Sequence, residues 1–107
     1  MTLSAGAQTK AEVERELRKQ RVPHADIVLA QARLETGNFT SRRCREDKNI
    51  FGIKHGKRYA KYRRWQDSVA DYKERISSRY KGGSYYVFLR KIGYASDPNY
   101  ERKLRRF

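Results

Sequence analysis

The segment between Pro23 and Gly37 most constrains the fold, because its interior and both of its ends carry helix signals. Pro23 can occupy a first helical position, and Gly37 tolerates the left-handed conformation that ends many helices. Apolar residues between them recur at helical spacing in two series, which are Ile27, Ala30 and Leu34, and Val28 and Ala32. The pattern predicts an amphipathic helix from Pro23 to Glu35.

Glu35 lies in the last turn of this predicted helix and continues the second apolar series. Unsatisfied carbonyl groups give a helix C-terminus partial negative charge, and burial disfavours an ionised carboxylate, so both effects raise the pKa of Glu35. An acid that keeps its proton near neutral pH can serve as a general acid. The alternative is a solvated residue at a frayed helix end. The segment by itself favours that alternative, because most surface acids are not catalytic.

The N-terminal part of the chain predicts a tail and a first helix. We expect residues 1–8 to form a flexible tail before one domain of residues 9–107, a length that suits a single domain. Thr9 and Glu12 form a capping-box pattern, and the helix that follows has Val13 and Leu17 on one face. Residues 38–49 show no helical period and are predicted to be irregular.

A change of pattern after Ile50 predicts a small β-hairpin. Its strands are expected at Phe51 to Lys54 and at Arg58 to Tyr62, with a turn at His55-Gly56. Gly52 within the first strand indicates a bulge or the close approach of another group.

Helical spacing returns in the C-terminal half of the chain. One stripe with steps of three and four residues predicts a long helix and comprises Trp65, Val69, Tyr72, Ile76 and Tyr80. A short helix capped by Ser84 and ended by Gly93 is expected to carry Val87, Phe88 and Ile92. Asp97-Pro98 predicts the start of a last helix with Tyr100, Leu104 and Phe107 directed inward. The predicted fold class is α+β, mostly α, with one small hairpin lobe.

The composition points to an anionic partner. The 26 Lys and Arg against 12 Asp and Glu give a net charge of +14, which suits nucleic acid, a membrane surface or an acidic cell-wall polymer. No apolar stretch is long enough to span a bilayer, and the first residues do not read as a secretory signal. Cys44 has no cysteine partner, and it forms no metal-ligand spacing with His24 and His55. We therefore expect no metal and no cofactor.

Four segments in a particular order resemble a known family. They are the run ending in Leu34-Glu35-Thr36-Gly37, residues 49–54 (Asn-Ile-Phe-Gly-Ile-Lys), Trp65 to Tyr72, and residues 93–100. Together they resemble glycoside hydrolase family 73, the glucosaminidase domains of bacterial autolysins and flagellar wall hydrolases. The resemblance covers roughly residues 26 to 104, and it reverses the preference for a solvated Glu35.

The resemblance implies a lysozyme-like helical domain that hydrolyses the β-1,4 bond between N-acetylglucosamine and N-acetylmuramic acid in peptidoglycan. It implies that Glu35 is the catalytic acid and that Tyr94 assists catalysis near it. The residues expected to bind substrate are Asn49, Phe51, Gly52, Tyr62, Trp65 and Tyr100. It further implies a monomer that acts on peptidoglycan glycan strands in the cell envelope, periplasmic or secreted, without nucleic acid and without insertion into a membrane.

One departure from the family pattern concerns the second carboxylate that several members are proposed to use. The segment from His55 to Arg64 contains no acid, and the nearest candidates are Glu46, Asp47 and Asp67. Glycoside hydrolysis normally uses two carboxyl groups at a defined separation. Two routes remain open: attack by the substrate's own 2-acetamido group, which we favour slightly, or attack by a water held by Tyr94 and its neighbours.

Other functions also remain open at the level of sequence. A muramidase or a lytic transglycosylase can rely on one glutamate in this type of fold. A catalytically inactive basic module that binds cell wall or nucleic acid could use the tyrosines interleaved with Lys and Arg between residues 54 and 64.

Overall fold

The computed structural model describes residues 8–107 and shows a mostly helical α+β fold with one small antiparallel hairpin, which confirms the predicted fold class. The helices of this part of the chain are α1 (Lys10–Lys19), α2 (Ala25–Thr36), α3 (Arg42–Asp47), α4 (Trp65–Arg75), α5 (Tyr85–Lys91) and α6 (Tyr100–Leu104). The hairpin strands β1 (Lys54–His55) and β2 (Arg58–Tyr59) lie between α3 and α4, and a 3-10 turn (Ser77–Arg79) follows α4.

The start of α1 agrees with the predicted capping box. The Thr9 hydroxyl accepts a hydrogen bond from the Glu12 backbone N–H at 3.1 Å, and the Glu12 carboxylate accepts one from the Thr9 N–H at 2.8 Å. Val13 and Leu17 are fully buried against the rest of the core. Residues 1–7 of the predicted tail lie outside the described residues. Gln8 is already buried.

Helix α2 packs against both α1 and α6 and carries much of the core. It begins at Ala25 and not at Pro23, because His24 adopts a left-handed conformation with φ 51° and places Pro23 in the preceding turn. Its predicted end is confirmed, since Gly37 is a left-handed cap with φ 57° whose N–H donates to the Arg33 carbonyl. This cap leaves Glu35 in the last turn of the helix.

Helix α3 corrects the prediction that residues 38–49 are irregular. The Ser41 hydroxyl caps the helix by accepting from the Cys44 N–H at 3.1 Å. The helix is short and rich in charge, with Cys44 as its buried residue, so it has too little apolar surface to show a period. Gln8 donates a 3.4 Å hydrogen bond to the Cys44 thiol.

The hairpin is shorter than predicted, and its turn lies one residue later. Lys54 pairs with Tyr59 and His55 pairs with Arg58, so Gly56 and Lys57 form the connection. Phe51 and Gly52 precede the strand and are not part of it.

The buried side chain of Asn49 makes hydrogen bonds to the backbone at the base of the hairpin, where longer strands would bond to each other. Its amide nitrogen donates to the carbonyl groups of Ile53 and Ala60 at 2.9 and 3.0 Å, and its oxygen accepts from the Ile53 N–H at 3.0 Å. Asn49 therefore ties the base of the hairpin together, because a strand of two residues cannot do so alone.

The C-terminal helices follow the predicted order with different details. Helix α4 buries Val69 and Tyr72 as expected, but it ends at Arg75. The last residues of the predicted apolar stripe lie on either side of the 3-10 turn that follows. Helix α5 is capped by Ser84 as predicted, yet it buries Tyr85 and Leu89. The three residues predicted for its core face are only half-buried, namely Val87, Phe88 and Ile92.

The last helix also differs from its prediction. Asn99, and not Asp97, is the residue before its first turn, although the Asp97 carboxylate accepts from the Asn99 N–H at 2.8 Å. Leu104 is buried, but Phe107 is 45% exposed and lies beside the Arg33 guanidinium. The predicted inward position of Phe107 was wrong because the helix ends at Leu104.

Candidate active site

Glu35 lies where two open grooves meet. The α4-side groove has a volume of about 570 Å³ and is lined by Glu35, Phe51, Gly52, Ile53, Lys54, Tyr59, Arg75, Ile76, Arg79 and Tyr94. The α3-side groove is lined by Glu35, Thr36, Ser41, Arg42, Arg43, Asn49, Gly52 and Tyr59. Glu35, Gly52 and Tyr59 belong to both walls, so a long ligand that lay in both grooves would pass the Glu35 carboxylate.

The surroundings of Glu35 favour its protonated form. The side chain is open to the grooves, but neighbouring groups remove enough water from the carboxylate to raise its pKa. The Tyr100 hydroxyl donates a long hydrogen bond of 3.4 Å to Oε2 of Glu35, and this bond lowers the pKa by less than desolvation raises it. On the opposite side, a Cβ atom built at Gly52 would lie 3.4 Å from Oε1.

A buried row of hydrogen bonds lies behind Glu35. The Gln31 amide donates to the Tyr100 hydroxyl at 3.3 Å, and the Gln31 oxygen accepts from the Tyr72 hydroxyl, which is 2.8 Å from that of Tyr85. Gln31 and Tyr72 are fully buried. Because Gln31 donates to Tyr100, the hydroxyl hydrogen of Tyr100 is left to point at Glu35. Burial raises the pKa of Tyr72 and of Tyr100, so both remain neutral donors.

Tyr94 holds the backbone that faces Glu35. Its hydroxyl donates to the Phe51 carbonyl at 3.0 Å, and its ring lies 6.0 Å from that of Tyr100. Burial raises the pKa of Tyr94 well above its ordinary value, so the hydroxyl stays protonated. The bond to Phe51 places Gly52 at the meeting point of the grooves.

The structure separates the remaining predicted site residues into two groups. Phe51 and Gly52 line the α4-side groove. The buried Asn49 lines the α3-side groove, while its side-chain hydrogen bonds within residues 8–107 go to the hairpin backbone. Tyr62 and Trp65 lie outside both groove walls. Trp65 begins α4 and packs against the core.

Asp71 explains the position of Tyr62. The Tyr62 hydroxyl donates to Oδ2 of Asp71 at 2.6 Å, His55 Nε2 lies 2.7 Å from the same oxygen, and Arg75 Nε lies 2.7 Å from Oδ1. Desolvation pushes the pKa of Asp71 upward, but these hydrogen bonds outweigh it and hold the pKa below its usual range. Asp71 therefore fastens the hairpin to α4.

Tyr59 is a groove residue that was not predicted from the sequence. Its ring is 39% exposed at the junction, with the Arg43 guanidinium 3.4 Å and the Lys54 ammonium 4.8 Å from its centroid. Aromatic rings bordered by cations present a flat apolar face in a fixed orientation. The alternation of Tyr and basic residues was a signal for such a surface, but it did not indicate which tyrosine faces the groove.

One known family matches nearly all of the described chain. The family model Glucosaminidase, described as mannosyl-glycoprotein endo-beta-N-acetylglucosaminidase, matches residues 10–107. The chain belongs to the Glucosaminidase family. The resemblance to glycoside hydrolase family 73 is thereby confirmed, and family membership supports a glycoside hydrolase that acts on peptidoglycan. No curated protein and no solved structure matches the chain.

Glu35 is the one acid in either groove wall of this Glucosaminidase-family chain, among the residues that the structure describes. The three acids considered from the sequence lie elsewhere. Glu46 and Asp47 line a neighbouring surface hollow that shares Arg42 and Arg43 with the α3-side groove. Asp67 lies 3.9 Å from Arg64 on the exposed side of α4. A two-carboxylate site is therefore not present in the grooves of residues 8–107.

Between residues 8 and 107, no three or more His, Cys, Asp or Glu side chains are grouped so that they could hold a metal ion. In the same range, no helix combines the length and the apolar character that crossing a membrane requires.

Proposed function

We propose that the chain is an endo-β-N-acetylglucosaminidase that cleaves the β-1,4 bond between N-acetylglucosamine and N-acetylmuramic acid, with Glu35 as the general acid. One observation carries the proposal: Glu35 is the sole acid of both groove walls in the described chain, and desolvation raises its pKa. Protonation of the leaving oxygen requires an acid that retains its proton near the working pH.

The charge of the grooves supports peptidoglycan as the substrate. The family description names mannosyl glycoproteins, whose mannose-rich glycans are neutral. Both groove walls are instead basic, through Lys54, Arg75 and Arg79 on one side and Arg42 and Arg43 on the other. Peptidoglycan carries carboxylates, so such walls attract it. A polymer of this kind would be met in the cell envelope, by a periplasmic or secreted enzyme.

The absence of a second acid from the groove walls supports a substrate-assisted reaction. Glu35 donates its proton to the glycosidic oxygen while the carbonyl oxygen of the substrate's 2-acetamido group attacks the anomeric carbon and the glycosidic bond breaks. Water then opens the resulting oxazolinium ring, and the Glu35 carboxylate accepts the proton from that water. The alternative, a water held by Tyr94, is less well supported because the Tyr94 hydroxyl stays protonated and donates to the Phe51 carbonyl, so it cannot take the proton of an attacking water.

The decisive experiment compares Glu35→Gln with the wild type on purified peptidoglycan. We expect the rate of turbidity loss to fall about 10²- to 10⁴-fold in the variant, the usual contribution of a general acid. Glu14→Gln, on the outward side of α1, is the matched control and should clear the suspension normally. Equal rates for Glu35→Gln and the wild type would remove Glu35 from the mechanism.

Product analysis identifies the bond that is cleaved. A reducing N-acetylglucosamine end supports the proposal, whereas a reducing muramic acid indicates a muramidase and an anhydro-muramic end a lytic transglycosylase. Retention of the β configuration in the first product would support the acetamido route. A wild type that binds peptidoglycan without cleaving it would instead be a binding module.

A further inference from the structure

The α4-side groove contains cations that the protein does not neutralise. Arg79 and Lys54 line this groove, and neither forms an ion pair within 4 Å in the described chain. Other cations, such as Arg18 and Arg42, pair with a glutamate four residues away. The groove thus concentrates positive charge on the side of Glu35 where a ligand has room.

The Arg75 side chain, in the same wall, is oriented by an ion pair with Asp71. Its Nε lies 2.7 Å from Asp71 Oδ1, and Asp71 is itself bound by Tyr62 and His55. The two terminal nitrogens of the Arg75 guanidinium have no hydrogen-bond partner among the described residues and can donate as a pair. An arginine oriented in this way loses little entropy on binding and suits the bidentate recognition of a carboxylate.

We propose that Arg75 and Arg79, with Lys54 of the same groove, form a subsite for a carboxylate carried by the substituent on C3 of the muramic acid residue. This inference rests on the proposed function, since it places the charged sugar next to the bond that Glu35 would cleave. The carboxylate is either that of the lactyl group or one on the attached peptide. A strand of N-acetylglucosamine alone has neither, so this subsite selects peptidoglycan over neutral glycans.

The experiment measures binding without turnover, in the Glu35→Gln background, by isothermal titration calorimetry. The probes are peptidoglycan oligosaccharides with intact peptides, the same oligosaccharides stripped by an amidase so that the lactyl carboxylate is free, and a neutral N-acetylglucosamine oligomer of equal length. Arg79→Gln alone and with Arg75→Gln are the test variants. Arg15→Gln, an exposed cation of α1 outside both grooves, is the matched control for the loss of one charge.

We expect the double variant to bind the peptide-bearing probe about tenfold more weakly or worse, the usual effect of losing a charge-assisted hydrogen bond. The neutral oligomer should bind the double variant and its parent alike, and Arg15→Gln should change neither affinity. In the intact probe the lactyl carboxyl is bonded to the peptide as an amide, so an effect on that probe assigns a carboxylate of the peptide. An effect confined to the stripped probe assigns the lactyl carboxylate, and an effect on both probes shows that the subsite accepts either group.

Several outcomes would overturn the subsite. Two of them are an unchanged affinity for both charged probes and an equal loss of affinity for the neutral oligomer. The third is displacement of the charged probe by a single-stranded oligonucleotide whose own binding depends on Arg75 and Arg79. Arg79→Gln leaves the Asp71 cluster intact, so its result does not depend on the fold near α4. Because binding is measured separately from cleavage, a wild type without hydrolytic activity would refute the proposed function and leave the binding comparison interpretable.

Discussion

Gly52 and Glu35 face each other so closely that a Cβ atom at Gly52 would stand 3.4 Å from the carboxylate oxygen Oε1. Gly52 also has φ +67°, a conformation that other residues adopt only with strain. The residues are brought together from the end of α2 and from the loop before β1. The absence of a side chain at Gly52 keeps both grooves open at the carboxylate.

We expect Gly52→Ala to act on stability and on the site at once. The left-handed backbone should cost about 1 kcal/mol of the free energy of unfolding, and the added methyl group should further desolvate Glu35. The pH dependence of kcat/KM should then shift so that activity persists to higher pH. Gly56→Ala is the matched control, with φ +68° and no atom near its Cβ position. It should lose similar stability, measured by urea unfolding, with no change in the pH profile.

Tyr100→Phe tests the hydrogen bond to Glu35. The bond lowers the pKa of the carboxyl, so its removal should raise that pKa and move the alkaline limb of the kcat/KM profile to higher pH. Tyr86→Phe is the control, since the Tyr86 ring lies under Arg105 outside both grooves. A shift of the limb to lower pH would mean that Tyr100 does not stabilise the ionised form.

The pH dependence of stability gives a separate measure of Glu35. Desolvation raises its pKa in the folded state, so as the pH rises the unfolded chain loses this proton first, and the contribution of Glu35 to wild-type stability falls through that interval. Glu35→Gln cannot lose a proton and should gain stability relative to the wild type between about pH 4 and pH 7. Urea unfolding at both pH values tests this. A relative loss on going to pH 7 would show that the folded-state pKa is lowered.

Asp71→Asn should weaken the attachment of the hairpin to α4. Loss of the charged acceptor for His55, Tyr62 and Arg75 should lower the free energy of unfolding by about 1–3 kcal/mol. It should also speed hydrogen exchange of the Ala60 amide, which donates to the Ile53 carbonyl at the base of the hairpin. Hydrogen exchange followed by NMR measures the second effect.

Asp67→Asn is the control for the Asp71 variant. Asp67 makes an exposed 3.9 Å contact with Arg64, so its loss should lower the free energy of unfolding by well under about 1 kcal/mol.

The pKa of Asp71 is held below its usual range. The stability that ionised Asp71 contributes is therefore present above the ordinary aspartate pKa and is lost as the pH falls through the folded-state pKa. Equal destabilisation by the two variants would refute the proposed role of Asp71.

Asn49→Ala tests whether Asn49 acts on the fold or on the substrate. Removal of the side chain leaves buried backbone groups of Ile53 and Ala60 with fewer hydrogen-bond partners. Each group left unsatisfied should lower the free energy of unfolding by about 1–3 kcal/mol. Asn99→Ala, at a position without a side-chain cap bond, should have a small effect. A stable Asn49→Ala protein with a raised KM would assign Asn49 to substrate binding instead.

Features that depend on near neighbours in the chain could be predicted from the sequence. The Thr9–Glu12 capping box and the Gly37 cap form between residues a few positions apart, as does the spacing of Val69 and Tyr72. Such signals placed Glu35 in the last turn of α2. Helix α3 was not predicted because Cys44 is its one buried residue, so its six residues show no apolar period.

The sequence by itself determined the helical class, the order of the motifs and the position of Glu35 on its helix. Each of these depends on residues that lie a few positions apart in the chain. Only the tertiary structure decided which groups meet that carboxylate. Tyr100 reaches Glu35 and Gln31 across 65 and 69 positions of sequence, and Tyr59 rather than Tyr62 faces the grooves because Asp71 holds Tyr62 at α4. Contacts of this range follow from how the elements pack, and no local spacing specifies them.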